Sequence, residues 1–355
     1  MKVSFLSECV TSLRYFFPII RVLKTLGHDI EVFYPIDNVV KGETRPGIQQ
    51  SGIPNKYNSS IRNLQTFAKI INQICPDVLL TPVPSDKPPI DTNILFTLEC
   101  VPRGINGALF NYDKKFCIQH GTDYYRSFYH NYIDDKTTYI THDKCYQTDL
   151  VENFGIDAIC PDKPVAFWDI HKQLDLLNSS IFDLRSQKIA YIFYPDKGYR
   201  DLARELILYL SNLDLSVIVK QRIKHQSVES FNLENVHVVY DDIWYPSEAV
   251  IIPAMSELCI GFSSAAYTDL APAGVNYIDL ALETYSKCIT ETQQNAHWRG
   301  YVKPKSRDNF YYLNTPNFED IQKNIDCILK NKVDSKFQKF ENNSTIGEKF
   351  LKGIL

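Results

Sequence analysis

Two adjacent hydroxyls, Ser263 and Ser264, stand in the segment ELCIGFSSAAYTDLAPAGVNYIDL at residues 257–280. The pattern reads as a buried strand, a serine turn, a short helix of small residues and a second strand. Where a parallel strand gives way to a helix amino terminus, unbonded backbone N–H groups meet the positive end of the helix dipole. Such a junction binds anions, and two hydroxyls beside it point to a diphosphate. A second loop, Lys220-Gln221-Arg222-Ile223-Lys224-His225, follows another expected strand and supplies Lys220, Arg222 and Lys224 as cations, with His225 at its end. A third, Tyr194-Pro195-Asp196-Lys197-Gly198, follows a further strand. Right-handed crossovers in a parallel sheet bring all three loops to the carboxyl edge, where α/β folds collect their ligands. Each has a plainer explanation alone: the serines as a helix cap, the alternating cations as a solvated strand end. Their convergence on one edge favours phosphate binding.

The first half of the chain holds the acid–base candidates. His120, in IQHGTDY, follows a buried strand and precedes a glycine, so its imidazole is expected to emerge at a strand end. A neutral imidazole there can take a proton from an attacking hydroxyl, with Asp123 holding its tautomer. Glu8, ending the first strand, is an alternative base or an acceptor-orienting group, and Glu99 shares that position on a later strand. Their plain alternatives are a backbone-bonded loop histidine and structural carboxylates. His28, His130 and His171 read as structural. The eight histidines show no metal-ligand spacing with carboxylates or cysteines, so no zinc is expected.

These residues need a scaffold of alternating strands and helices. KVSFLS, a helix capped by Thr11 or Ser12 and ended at Gly27, and DIEVFYP form a βαβ start. It lacks GxGxxG, which argues against an NAD or FAD enzyme. Residues 36–59 read as a long loop, followed by a helix at about 60–75. Strands DVLLTP, NILFTLE, FCIQ and TTYITH and the helix DKCYQTDLVENFG complete the first half. Alternation restarts with KIAYIFYP, a helix at 198–212, LSVIVK, VHVVYDD, a helix near Pro246, ELCIGF and VNYIDL. FEDIQKNIDCILKN and GEKFLKGIL are helices of the tail. The expected organisation is an amino-terminal domain over 1–160, an interdomain crossing over 161–187, a second domain over 188–335 and a tail helix over 336–355.

Composition narrows the function classes. A chain of 355 residues with 44% hydrophobic content can fill two cores. A net charge of −4, with its 38 basic residues scattered, argues against nucleic acid as a partner. The nine cysteines form no CxxC and mostly lie in apolar runs, as buried reduced thiols of a reducing compartment do. No apolar run approaches the ~20 residues needed to cross a bilayer, and the amino terminus lacks a signal-peptide core. A cytoplasmic protein is expected, with peripheral attachment to a membrane surface left open.

The LGHDIEVF segment at 26–33 and the serine turn at 263–264 followed by Asp269 and Gly274-Val275 resemble the GT-B glycosyltransferases. The His120-Gly121-Thr122 step is similar to the HGT motif of the CDP-glycerol glycerophosphotransferases, a branch grouped with the UDP-N-acetylglucosamine 2-epimerases. In that branch Asp-Tyr usually precedes the serine pair, where this chain has Gly261-Phe262. The resemblance implies an α/β fold of two Rossmann-like domains facing across a cleft, the first for the acceptor and the second for the donor. It implies His120 as base and Asp269 among the donor-binding residues. The implied activity is transfer of a sugar from a nucleotide-diphosphate or CMP-linked donor to a hydroxyl of a glycan or lipid-linked acceptor, with no separate cofactor and no metal. A sugar-nucleotide 2-epimerase and a non-catalytic sugar-nucleotide-binding protein are the alternatives; the oligomeric state is left open.

Overall fold

Runs of β-branched and aromatic residues alternating with amphipathic helices build two separate parallel sheets. The computed structural model describes residues 1–7, 12–35, 69, 71–83, 89–98, 110–119, 135–177, 187–195, 199–221, 229–240, 245–262, 264, 266–281, 309–314, 316–330 and 340–355. The chain divides into two compact units, Met1–Val165 with Ser344–Leu355, and Ala166–Asn343.

In the first unit the strands are β1 (Lys2–Leu6), β2 (Asp29–Pro35), β3 (Leu79–Val83), β4 (Ile90–Leu98), β5 (Phe110–Ile118), β6 (Thr137–Ile140) and β7 (Ala158–Ile159). Among the described residues they form one sheet in the order β3-β2-β1-β4-β5-β6-β7, and every neighbouring pair is parallel. Helix α1 (Leu13–Thr25) is buried over most of its circumference, with Tyr15, Ile19 and Val22 buried as well as Leu13, Phe16, Phe17, Ile20 and Leu23. Gly27 ends it at φ 77°, a conformation that a residue without Cβ adopts freely. The expected side-chain cap is absent at Ser12: its hydroxyl meets that of Ser7 instead, tying the end of β1 to the start of α1. Helix α2 (Lys144–Phe154) starts where the Asp143 carboxylate accepts from the Cys145 amide at 3.2 Å and stops at Gly155, φ 62°.

The centre of this sheet is aromatic. The register aligns Phe5 with Phe96 and Phe96 with Phe116, and their rings stack at 5.0 and 5.1 Å between centroids. Phe16 of α1 meets Phe5 edge-on at 5.1 Å. One row of rings thus clamps three strands and a helix together, and all four rings are buried.

In the second unit β8 (Ile189–Phe193), β9 (Ser216–Gln221), β10 (Val236–Tyr240), β11 (Leu258–Gly261), β12 (Tyr277–Ala281) and β13 (Phe310–Asn314) form a parallel sheet in the order β10-β9-β8-β11-β12-β13. Its helices are α3 (Ile170–Leu176), α4 (Arg200–Ser211), α5 (Glu248–Ala254), α6 (Tyr267–Leu270) and α7 (Phe318–Lys330), while α8 (Asn343–Ile354) returns to the first unit. Ala203, Leu206, Ile207 and Leu210 of α4 and Ile321, Ile325 and Ile328 of α7 join one apolar cluster on the sheet.

The segment 161–187, which reads as an aperiodic crossing, contains a 3₁₀ turn at Val165–Phe167 and helix α3. Its order comes from a buried network. Gln173 donates to the Asp169 carboxylate at 2.7 Å and to the Ala166 carbonyl at 3.0 Å, and accepts from the Ser247 amide at 3.0 Å; the Tyr245 hydroxyl also donates to Asp169. Strand β13 is a second departure from the sequence reading. Among the described cysteines, Cys75, Cys117 and Cys259 are buried as expected, while Cys145 and Cys327 are exposed. Burial pushes the Cys160 thiol up to about 11. Among the described residues no helix is long and apolar enough to cross a membrane.

Phe96→Ala empties the middle of the aromatic row. A loss of about 3–5 kcal/mol is expected, read as a lower urea midpoint of the first unit; a loss below ~1 kcal/mol would show that the row is not its organising contact.

Candidate functional site

Parallel pairing puts the ends of β8, β9, β11 and β12 along one edge of the second sheet. At that edge the Tyr194 amide donates to the Lys220 carbonyl at 2.9 Å, extending the β8–β9 pairing past Phe193. The half-buried Lys220 ammonium lies 5.7 Å from the centre of the Phe193 ring. The structure thereby sets Tyr194, at the start of the 194–198 loop, Lys220, at the start of the basic run, and the end of β11 along one edge. Arg222, Lys224, His225 and Ser263 lie outside the described residues.

The ends of the basic loop are tied to each other. The Gln221 side chain, 5% exposed, donates to the Glu229 carbonyl at 2.7 Å and accepts from the Glu229 amide at 3.1 Å. The Glu229 carboxylate then takes both arms of Arg204 at 2.9 Å, the Arg200 guanidinium at 3.3 Å and the Tyr194 hydroxyl. Burial pulls the Glu229 carboxyl upward, but the bonds from Arg204 and Tyr194 outweigh it and hold the carboxyl below its usual range. Burial, with the Glu229 bond adding to it, pushes the Tyr194 phenol far above its usual value.

The serine turn differs from the expected anion mouth. Helix α6 spans four residues and starts beyond Ala266, so little dipole stands behind it. The Ser264 amide donates to an oxygen of Asp279 at 3.2 Å, and the Ser264 hydroxyl accepts from the Ala266 amide at 3.3 Å. The backbone donor that the sequence assigns to a phosphate is thus taken by a carboxylate of the neighbouring strand. Asp269 is 2% exposed, inside α6, rather than presented at the edge.

Asp279 escapes a sequence reading centred on the serines. Its signal is an acid within the apolar run VNYIDL, since a carboxylate at 1% exposure requires hydrogen bonds. The register sets Gly261 opposite Asp279, and Asp279 opposite Tyr312. Burial, then the Asp279 charge, pushes the Tyr277 and Tyr312 phenols upward. Gly261 permits this packing: a Cβ there would overlap the Tyr277 hydroxyl and approach its Cζ to 2.8 Å and the Ser264 Cβ to 3.2 Å.

The first sheet has its own carboxyl edge, with Ser7, Leu98, Gln119 and Thr141 at the ends of β1, β4, β5 and β6. Glu8, Glu99, His120 and Asp123 lie outside the described residues, but Gln119, which precedes His120, is fixed. Its amide donates to the Ile140 carbonyl at 2.9 Å, and its side chain accepts from the His142 amide at 3.0 Å. His142 is 3% exposed and tilts against the Tyr15 ring at 5.5 Å. The Arg14 guanidinium stands 4.6 Å over that ring and donates to its hydroxyl. Sequence reasoning passed over His142, whose only signal is its place at a strand end.

No protein-family model matches the chain, and no curated protein does. Solved structures with a similar chain path include the spinosyn forosaminyltransferase SpnP, at 12% identity and TM-score 0.43, over 99% of this chain and 95% of that one. The spinosyn rhamnosyltransferase SpnG complexed with thymidine diphosphate is similar at 10% identity and TM-score 0.43, over 99% of both chains. UDP-GlcNAc 2-epimerase from Neisseria meningitidis bound to UDP-GlcNAc has 10% identity and TM-score 0.49, over 99% of this chain and 100% of that one.

Two predictions follow from the edge of the second sheet. Gly261→Ala forces Tyr277 to move and is expected to cost at least about 1–3 kcal/mol. Tyr277→Phe in the same chain removes the overlapping oxygen and should recover part of that loss; strict additivity in a thermal-unfolding cycle would refute the close approach. Glu229 titrates lower folded than unfolded, so its contribution is complete above the usual glutamate range and declines as pH falls through the folded value. The stability difference between the native chain and Glu229→Gln, followed by urea unfolding from about pH 6 to pH 3, should shrink toward the acid end.

Proposed function

We propose that the chain is a glycosyltransferase that moves a sugar or related group from a nucleotide-activated donor to a hydroxyl of a surface glycan or glycoconjugate. The observation that carries this reading is the convergence of Tyr194, Lys220 and the Gly261–Ser264 turn on the carboxyl edge of one parallel sheet. The donor diphosphate is held there by Lys220, Arg222, Lys224 and His225 with the hydroxyls of Ser263 and Ser264. Asp269, counted with the donor-binding residues in the sequence reading, is buried inside α6.

In the reaction the acceptor hydroxyl gives its proton to the His120 imidazole, with Asp123 orienting the ring and Glu8 as the alternative base or acceptor-orienting group. The acceptor oxygen bonds to the anomeric carbon as the bond from that carbon to the phosphate oxygen breaks. The departing nucleotide carries the electron pair, and its growing charge is met by the three cations without a metal ion. The acceptor is a glycan or lipid-linked chain, reached from the cytoplasm with at most peripheral contact with a membrane.

Thermal unfolding against UDP, CMP, GDP and their sugars should show stabilisation by one base class. With that donor, His120→Ala should lower transfer about 10²–10⁴-fold while nucleotide affinity changes less than ~2-fold. Loss of nucleotide binding in that variant would remove His120 from the base role. Conversion of UDP-N-acetylglucosamine to its 2-epimer without acceptor would replace transfer by isomerisation.

A further inference from the structure

We infer that Asp279 is the positioning residue of the donor turn: its buried carboxylate holds the Ser264 backbone so that the loop leaving β11 keeps one conformation for the donor phosphates. This rests on the transferase reading and identifies what shapes its donor site. The loop needs such a hold because β11 ends at Gly261 and α6 does not begin until Tyr267. Among the described residues between them, the Ser264 carbonyl accepts from the Tyr267 amide at 3.4 Å and the Ala266 carbonyl from the Asp269 and Leu270 amides at 3.3 and 3.1 Å; these bonds run forward into α6 and do not tie the turn to the sheet.

Strand β12 supplies the missing constraint at two points. Asp279 lies opposite Gly261 in the register and accepts from the Ser264 amide at 3.2 Å. Two residues earlier on the same face of the strand, fully buried Tyr277 packs its hydroxyl against Gly261, which has no side chain to keep it away. A carboxylate at this place also determines how the donor is bound. With the Ser264 amide engaged by Asp279, the phosphates are left to hydroxyls and to the cations of the neighbouring loop. Asp279 therefore acts through Ser264 and does not touch the donor.

The test uses the full-length chain and the nucleotide or nucleotide sugar that stabilises it. Asp279→Ala removes the acceptor and should raise both nucleotide Kd and donor KM roughly ten- to a hundredfold, with kcat within about threefold. Asp279→Asn retains an acceptor oxygen and should stay within about fivefold of the native affinity. Native affinity in Asp279→Ala, or an equal loss in both variants, would overturn the inference. Should Asp279→Ala fail to fold, the unsubstituted protein decides: the Ser264 amide must exchange with solvent deuterium far more slowly than an open loop amide, and fast exchange overturns the inference. A native chain that binds no nucleotide defeats the transferase reading itself, and the role given to Asp279 with it. The two failures are therefore distinct.

Discussion

Parallel pairing of every neighbouring strand is the constraint on which the rest of this structure depends. A parallel ladder aligns strand directions, so each sheet has one edge made only of carboxyl ends. In the second unit this brings residues 194, 220 and 261 together although they are far apart in sequence. In the first it does the same for residues 7, 98, 119 and 141. Both sheets bury apolar residues along their strands, most continuously in β8 and β11, while β4 and β5 turn apolar only in their carboxyl-terminal halves.

How the edges are held differs between the units. In the second, buried polar groups do the work: Gln221 closes the basic loop on Glu229, and Asp279 engages the serine turn. Each leaves a group at 5% exposure or less bonded to backbone, an arrangement whose loss costs more than its formation gains. In the first, an aromatic row secures the middle of the sheet and the Gln119–His142 bond secures its edge. The Gln119 backbone is held separately, by its amide bond to the Ile140 carbonyl at 2.9 Å.

The element pattern was largely legible in the chain. Apolar runs marked most strands, Gly27 and Gly155 marked helix ends, and the restart of alternation after residue 187 marked a second sheet. What escaped had weak local signals. Helix α3 is seven residues long and stands on the Gln173–Asp169 pair, which Tyr245 and Ser247 join from more than seventy positions away. Strand β13 contributes one fully buried side chain, Phe310, and reads as a strand only once β12 is beside it.

Periodicity, turn residues and the order of strands and helices belong to neighbours along the chain, so the amino-acid order alone determined two α/β units and the loops that meet at a sheet edge. Which acid accepts which amide was decided by tertiary structure. Ser264 and Asp279 are fifteen positions apart and meet only because β11 and β12 pair in the register that sets Gly261 opposite Asp279. The physical reason is range: a helix start signals a free donor through local sequence, whereas the partner that occupies it is chosen by packing across strands.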